Sequence, residues 1–207
     1  MYSIYPEQAN QNIKINDYCV VIPDFFNKEE LEKIDDVSKI FEIKESLVGR
    51  DGVDGAGSPS EHRSSDIRWL EPQEETSWIY DKMTEFLREM NGMHYMFNIN
   101  GFECFQHATY KDTDNGRFSS HLDETRLFDS INNIRKISYS ILLNDPSEYE
   151  GGELHIWDGH CEGDTLIKDL KAGYLVAFPS FLLHEVTPVT KGTRKSLVCW
   201  ARGPRWS

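Results

Sequence analysis

The sequence has no paired cysteines and no long apolar run. Its four cysteines, Cys19, Cys104, Cys161 and Cys199, are isolated, and none belongs to a C-x-x-C pair. This pattern argues against a zinc ribbon or a thioredoxin-like motif and favours a reducing compartment. No stretch approaches the roughly 20 apolar residues of a membrane span, and residues 1–12 lack the apolar core of a signal peptide. We therefore expect a cytoplasmic protein with no membrane partner.

Positive charge is also scarce. The 207 residues include 22 Lys and Arg against 35 Asp and Glu, which gives a net charge of -13. Because phosphate backbones are bound by basic surfaces, this balance argues against a nucleic-acid partner. It leaves room for a small anion held by one local cation, or for a basic protein partner. The length suffices for one sizeable core, so we expect a single domain over residues 1–207.

The first hundred residues contain two helical patterns. Asn27 and Glu30 have the spacing of a capping box at the start of a helix. The apolar residues that follow at helical spacing are Leu31, Ile34, Val37 and Phe41. A second helix is predicted from about Glu74 to Met90, with Gly92 as its end. Residues 48–60 are rich in Gly, Asp and Ser, which predicts a mobile loop that closes as a lid.

After residue 100 the pattern changes to short strands separated by turn residues. The predicted strands are Gly101–Tyr110, Ile134–Asn144, Gly152–Trp157, Gly173–Phe178, Leu183–Pro188 and Arg194–Ala201. Many short strands at close spacing predict a sandwich or a jelly roll. Helices followed by strands predict helices packed on one face of that β core. We expect an α+β, mainly β fold, with N-terminal helical support over about residues 1–100 and a β core over about 101–204.

Three residues have the types and order of a metal site. On a strand, positions two apart point to the same face, so His121 and Asp123 can reach one ion. His184 lies in a later apolar segment. Two imidazoles and one carboxylate are the protein ligands of non-haem Fe(II) oxygenases. Zinc is the alternative metal, and an isolated H-x-D pair is more often an ordinary surface pair.

A basic residue near this set favours iron. Arg194 follows His184 by ten residues, and Ser196 comes two later. A hairpin turn at Lys191-Gly192 would return both side chains to the metal on one strand face. Arginine with a hydroxyl group suits a two-pronged grip on a carboxylate. A hydrolytic zinc site gives no reason for such an anchor.

Further motifs surround these residues in a fixed order. They are Glu103-x-x-Gln106-x-x-x-Tyr110, Gly116-x-Phe118-x-x-His121-x-Asp123, Arg135 with Leu142-Leu143-Asn144-Asp145, Gly151-Gly152-Glu153-Leu154, Gly173-x-Leu175-x-x-Phe178-Pro179, and His184 through Gly192 to Arg194-x-Ser196. Together they resemble the prolyl 4-hydroxylase-type, PKHD-like branch of the Fe(II)- and 2-oxoglutarate-dependent dioxygenases. The resemblance covers roughly residues 17 to 204 and is densest after residue 100.

The resemblance implies a fold, a cofactor and a co-substrate. The fold would be a double-stranded β-helix, which is a jelly roll with supporting helices. His121, Asp123 and His184 would bind Fe(II). Arg194 would bind the distal carboxylate of 2-oxoglutarate, with Tyr110 and Ser196 as hydroxyl donors. Dioxygen would be the second co-substrate, and the family also allows ascorbate.

The resemblance further implies hydroxylation of a prolyl residue in a peptide or protein, with O2 consumed and succinate and CO2 formed. The residues aligned with substrate contacts are Arg63, Ser65, Glu103, Arg135 and Trp200. Two departures concern the substrate and co-substrate: Arg194 stands where collagen-type enzymes usually carry Lys, and Leu142 where some relatives carry a tyrosine. The alternatives are a free amino acid or other small metabolite as substrate, and a non-enzymatic metal-binding β-helix module. An alkylated nucleic-acid base is disfavoured by the acidity of the chain.

Overall fold

The computed structural model describes residues 14–15, 19–45, 62–123, 133–157, 167 and 169–204. The predicted lid at residues 48–60 lies outside these ranges. No helix in the described ranges is long and apolar enough to cross a bilayer. Cys19, Cys104 and Cys199 are free thiols.

Helix α1 (Lys28–Ser38) begins as its sequence predicts. The Asn27 side chain accepts the Glu30 N–H at 3.0 Å, and the Glu30 carboxylate accepts the Asn27 N–H at 2.8 Å. These two bonds complete the capping box by satisfying backbone donors that the first helical turn leaves free. Ile34, at the centre of the apolar stripe, is fully buried.

Helix α2 (Ser77–Met90) starts three residues later than predicted and ends differently. The Thr76 hydroxyl donates to the Glu71 carbonyl at 2.7 Å, which holds the preceding residues in a turn. Gly92 does not end the helical course, because Asn91–Tyr95 continue it as a π-helical turn. The turn stops at Met96, whose φ of 53° is left-handed.

Fourteen strands are found in the described ranges. They are β1 (Lys14–Ile15), β2 (Val20–Ile22), β3 (Lys44–Glu45), β4 (Arg63–Ser64), β5 (Asp66–Leu70), β6 (Gly101–Phe102), β7 (Phe105–Lys111), β8 (Arg117–His121), β9 (Ile134–Leu142), β10 (Tyr149–Gly151), β11 (Leu154–Trp157), β12 (Leu175–Pro179), β13 (Leu183–Val186) and β14 (Val189–Gly203). All six strands predicted after residue 100 are present, and the first of them is divided into β6 and β7.

The strands form two antiparallel sheets. The large sheet has the order β1-β2-β12-β9-β14-β7-β5-β3, with β6 and β10 also paired to β14. The small sheet has the order β11-β13-β8-β4. The predicted mainly β jelly roll with supporting helices is confirmed. Besides the two helices, the segment before residue 101 contributes β1, β2, β3 and β5 to the large sheet and β4 to the small sheet.

The large sheet buries different residues on its two faces. The face toward the helices carries apolar side chains, including those of Phe105, Ile137, Ile141 and Leu197. The opposite face, toward the small sheet, carries the second apolar cluster and a largely apolar cavity between the sheets that also contains polar side chains. Strand alternation therefore separates a helix-packed core from the cavity that contains the predicted metal ligands.

Candidate metal centre

His121 and His184 lie directly opposite each other on paired strands. His121 ends β8, His184 lies in β13, and the two residues are register partners with ring centroids 4.1 Å apart. Each Nδ1 lies close to the carbonyl oxygen two residues earlier in the chain, Ser119 at 2.8 Å and Leu182 at 2.9 Å. A ring nitrogen that faces a carbonyl oxygen carries the proton, so Nε2 of each ring is left as the lone-pair donor.

Asp123 completes the set from just beyond the end of β8. Its Oδ2 lies 3.2 Å from Nε2 of His184, and its Oδ1 lies 3.6 Å from Nε2 of His121. One candidate ligand atom from each residue falls within 4.8 Å of the others, and among the described residues this is the only such group. The Asp123 N–H donates to the Ser180 carbonyl at 3.0 Å. A loop contact therefore positions the carboxylate, instead of the strand alternation that the sequence predicted.

Burial and charge act in opposite directions on the three groups. Burial lowers the pKa of His121 below its ordinary value. Burial alone would raise the pKa of Asp123, but His184 and His121 hold it well below its ordinary value. For His184, burial lowers the pKa, yet Asp123 and the Leu182 carbonyl together raise it. The carboxylate is therefore ionised, as a metal ligand has to be.

Two serines that the sequence did not single out support Asp123. The Ser138 hydroxyl, on β9, donates to Asp123 Oδ2 at 2.7 Å. The Ser180 hydroxyl lies 2.9 Å from that of Ser138. Both serines are almost completely buried. Nothing in their local sequence marks them, because both contacts join segments that are far apart along the chain.

The cavity between the sheets contains the three candidate ligands and several of the predicted co-substrate and substrate residues. Its further lining includes Arg63, Gln106, Tyr110, Phe118, Leu154, Phe178, Ser196 and Trp200. Tyr110 and Ser196, the predicted hydroxyl donors, thus line the same cavity as the candidate ligands. Phe118 stacks on the His121 ring with centroids 3.5 Å apart, which fixes one side of that imidazole.

Arg194 precedes Ser196 by two residues on β14 and lines a neighbouring cavity of about 550 Å³. Leu154 lines both cavities, so the cavity of Arg194 adjoins that of the candidate metal ligands. Arg194 is 2% exposed, its guanidinium lies 5.5 Å from the Tyr110 ring centroid, and its Nη1 has no hydrogen-bond partner among the described residues. A buried cation with an unsatisfied donor favours an anionic ligand.

Gly152 and Tyr149 surround the Arg194 side chain. A Cβ at Gly152 would lie 2.9 Å from Arg194 Cδ, so the glycine leaves room for the arginine. Burial raises the pKa of Tyr149, and its interaction with Arg194 opposes that rise. The sequence motif contained Gly152, but only the structure shows which side chain uses the space.

The predicted substrate residues form two groups. Arg63 donates from Nε to the Ser65 hydroxyl at 3.0 Å and from Nη2 to Gln106 at 2.7 Å, and its guanidinium lies over the Phe118 ring. This arrangement places Arg63 and Ser65 beside the aromatic ring that stacks on His121. Gln106, which the sequence marked only as part of a motif, accepts a hydrogen bond from Arg63 and helps to hold it in place.

The second group is an ion pair stacked on a tryptophan. Arg135 makes two bonds to Glu103, at 2.6 and 2.7 Å, and its guanidinium lies 3.8 Å from the Trp200 ring centroid. Arg135 Nη1 also lies 3.9 Å from Asp123 Oδ1. Glu103 and Arg135 therefore hold Trp200 at the cavity wall, and Trp200 is the member of the group that lines the cavity.

The donor set and the buried cation fit the predicted cofactor and co-substrate. Two imidazole nitrogens and an ionised carboxylate suit a non-haem Fe(II) with open positions. The donors alone would also suit zinc. Arg194, with a free donor in the adjoining cavity, adds a partner for a carboxylate that zinc hydrolysis does not require. The geometry therefore favours iron with a dicarboxylate co-substrate.

Comparison with known proteins agrees with this geometry. Residues 105–202 match the sequence model of the 2OG-Fe(II) oxygenase superfamily. A PKHD-type hydroxylase of Aliarcobacter butzleri is 42% identical over 95 residues, which are 44% of this chain and 40% of that protein. The match thus spans about two fifths of the relative's length.

Two solved structures share the fold. The crystal structure of a Pseudomonas putida prolyl-4-hydroxylase aligns with a TM-score of 0.69 at 21% identity, covering 92% of this chain and 94% of that one. A Trichoplax adhaerens prolyl hydroxylase in complex with a hypoxia inducible factor oxygen degradation domain peptide fragment aligns with a TM-score of 0.68 at 16% identity, covering 89% and 83%. Residues 105–202, slightly less than half of the chain, thus match the 2OG-Fe(II) oxygenase superfamily, and the PKHD-like resemblance predicted from the motifs is supported by the match to the Aliarcobacter butzleri hydroxylase.

Proposed function

We propose that this chain, acting as one domain, is a Fe(II)- and 2-oxoglutarate-dependent dioxygenase, with iron held by His121, Asp123 and His184. One observation carries the proposal: three convergent ligand atoms line one cavity, and a buried arginine with an unsatisfied donor lines the adjoining cavity. A non-enzymatic metal-binding module would have no use for that arginine.

The protein's part is to bind, orient and exclude water. Arg194 would bind the distal carboxylate of 2-oxoglutarate, and Tyr110 and Ser196 would donate hydroxyl hydrogen bonds to the co-substrate. The bound iron and co-substrate supply the oxygen chemistry, in which O2 is consumed, one oxygen atom enters a substrate C–H bond, and succinate and CO2 are formed. The apolar side chains of Leu154 and Phe178 keep the cavity dry.

The proposed substrate is a prolyl residue of a peptide or protein. Trp200 offers a flat apolar wall to a pyrrolidine ring, and its buried Nε1–H has no hydrogen-bond partner among the described residues, so it can donate to a substrate carbonyl. Arg63, held by Ser65 and Gln106, also lines the cavity, while Glu103 and Arg135 support Trp200. A related fold binds a peptide in the Trichoplax adhaerens structure. The net charge of -13 would favour a basic partner.

A free amino acid is the second candidate. Arg135 is already bound twice by Glu103 and is thus less available to a peptide backbone than an unpaired arginine would be. A free amino acid or other small metabolite would need no contact of this arginine with a peptide backbone.

The test is turnover of 2-oxoglutarate to succinate, measured with Pro-containing peptides and with free amino acids. We expect His184→Ala to abolish iron binding and succinate formation while the far-ultraviolet spectrum is kept. His155→Ala is the matched control, because His155 lies on the same sheet and its ring contacts Glu153 and Glu185 instead of the ligands. Equal iron content in His184→Ala and wild type would overturn the metal assignment. A 16 Da gain on prolines would identify a peptide substrate. Turnover with free amino acids alone would instead identify a small molecule as the substrate.

A further inference from the structure

Two buried serines form a directed chain of hydrogen bonds that ends on the metal-binding carboxylate. An ionised carboxylate can only accept, so the single proton of the Ser138 hydroxyl points at Asp123 Oδ2, 2.7 Å away. The 2.9 Å contact between the two hydroxyls then has one possible direction, with Ser180 donating to Ser138. The chain runs from Ser180 to Ser138 to Asp123.

The backbone closes this chain into a ring. The Ser180 carbonyl accepts the Asp123 N–H at 3.0 Å, and the Ser180 N–H donates to the Lys136 carbonyl at 3.0 Å. Ser138 is 1% exposed and Ser180 is 0% exposed. Because both groups are shielded from water, their bonds hold the carboxylate in one orientation.

The two carboxylate oxygens of Asp123 have different surroundings. Each oxygen faces a ligand nitrogen, Oδ2 at 3.2 Å from His184 Nε2 and Oδ1 at 3.6 Å from His121 Nε2, but Oδ2 also accepts the Ser138 hydroxyl at 2.7 Å. The other polar neighbour of Oδ1, Arg135 Nη1, is 3.9 Å away, too far for a hydrogen bond. Oδ2 therefore has one lone pair engaged by a hydroxyl, whereas no hydrogen bond engages Oδ1 among the described residues.

We propose that Ser138, supported by Ser180, is a positioning residue that reserves Oδ2 for a hydrogen bond, so that Asp123 binds the metal through Oδ1 alone. The proposal rests on the metal site of the proposed function. One-oxygen binding keeps a coordination position open for a co-substrate, whereas a carboxylate freed from Ser138 could use both oxygens and fill that position. Hydrogen bonds to ligating groups orient them in this way in other metal sites.

The test is titration of the full chain with Co(II) alone, followed by its ligand-field absorption. We expect Ser138→Ala to weaken Co(II) binding by roughly tenfold and to change the absorption bands. Ser180→Ala should have a smaller effect, since its hydroxyl acts only through Ser138. Ser138→Thr, which keeps the hydroxyl, should restore the wild-type bands. Ser38→Ala is the control, because it removes another buried hydroxyl whose hydrogen bond is to the Asp35 carbonyl, away from the metal ligands.

The outcomes separate this inference from the proposed function. If wild type fails to bind Co(II), or His184→Ala binds it equally well, the metal site itself is wrong. If wild type binds Co(II) and His184→Ala does not, but Ser138→Ala has the wild-type affinity and bands, only the positioning role is overturned. A lower melting temperature in Ser138→Ala with unchanged bands in the folded protein would likewise show a purely structural serine. Bands of Ser138→Thr that match those of Ser138→Ala would show that the hydroxyl is not the cause.

Discussion

The two faces of the large sheet come from the same strands but differ in chemistry. On β14, Arg194 and Ser196 face the cavities, whereas Leu197 and Cys199 belong to the core beneath the helices. On β9, Ser138 faces the metal ligands, and its neighbour Ile137 is packed in the helix-side core. Neighbouring residues of one strand therefore serve different purposes, one in the candidate site and the next in the core.

This separation has a practical meaning. Substitutions on the cavity face should change ligand binding at nearly constant stability, and those on the helix face should do the reverse. The comparison fails if a substitution on one face changes both properties in the folded protein. The following experiments test it, from the largest expected effect to the smallest.

Leu197→Ala should have the largest effect on stability. Leu197 is 0% exposed in the helix-side core, and truncation of a buried leucine costs about 2–5 kcal/mol because of the lost contacts and the cavity left behind. Urea unfolding measures the loss. Iron bound per folded chain should equal that of wild type. A folded Leu197→Ala protein without iron would break the comparison, because a helix-face change would then have reached the metal site.

Arg194→Ala should have the largest effect on co-substrate binding. A charge-assisted hydrogen bond contributes about 1.5–3 kcal/mol, so we expect 2-oxoglutarate affinity to fall at least about tenfold. Arg194→Lys should retain part of the affinity, since it keeps the charge but not the two-pronged geometry. Calorimetric titration of the metal-loaded protein measures both. Unchanged affinity in Arg194→Ala would contradict the anchor role.

Gly152→Ala should act on the same anchor indirectly. Gly152 has a φ of +66°, and a Cβ there would lie 2.9 Å from Arg194 Cδ and 3.0 Å from Val189 Cγ2. The strained backbone costs on the order of 1 kcal/mol, and the displaced arginine should weaken 2-oxoglutarate binding severalfold. Gly92→Ala is the control, because nothing lies within 4 Å of its Cβ position. Equal 2-oxoglutarate affinities in the two variants would show that Arg194 does not depend on the glycine.

Asp35→Asn should have the smallest effect and tests a polar exception on the helix face. Lys195 Nζ lies 2.6 Å from Asp35 Oδ1, and His107 Nε2 lies 3.8 Å from it. Contact with His107 and then Lys195 lowers the pKa of Asp35, although burial opposes the shift. Because the folded-state pKa is depressed, the stabilisation is present above the unfolded pKa and is lost as pH falls through the folded value.

Urea unfolding of Asp35→Asn between pH 7 and acid pH measures this contribution. Asp35 is about one-third exposed, so we expect a loss of about 1 kcal/mol or less at pH 7 that shrinks below roughly pH 4. Asp36→Asn is the control, since that carboxylate is largely exposed and pairs only with Lys39 of the same helical region. A pH-independent loss in Asp35→Asn would show that charge is not its cause.

The sequence predicted those parts of the molecule that depend on local patterns. The capping box at Asn27 and Glu30 and the main strands after residue 100 follow from spacing and alternation. The convergence of His121, Asp123 and His184 was predicted from residue type and order. The prediction that Asp123 lies beside the two histidines was correct, but it relied on strand alternation. In the structure Asp123 lies beyond the end of the strand, where a hydrogen bond to the Ser180 carbonyl holds it.

The remaining features depend on contacts between distant segments. Ser138 and Ser180 are 42 residues apart, and Ser138 looks like any strand serine until the fold brings it to Asp123. The pairing of Arg135 with Glu103 was not predicted, because an arginine in an acidic chain has many potential partners. The π-helical continuation through Gly92 has no local sequence signal, since glycine there more commonly ends a helix.

Strand β14 pairs with β6, β7, β9 and β10 along its fifteen residues. Deleting or inserting one residue in it would turn every later side chain to the opposite face. Lys195 and Leu197 would then point into the cavities, while Arg194 and Ser196 would be forced beneath the helices. A substitution in this strand changes a side chain on one face of the sheet only. A change in the length of the strand would remove both the co-substrate anchor and the core contacts. Variation in length among proteins of this fold should therefore be confined to the connections on either side of β14.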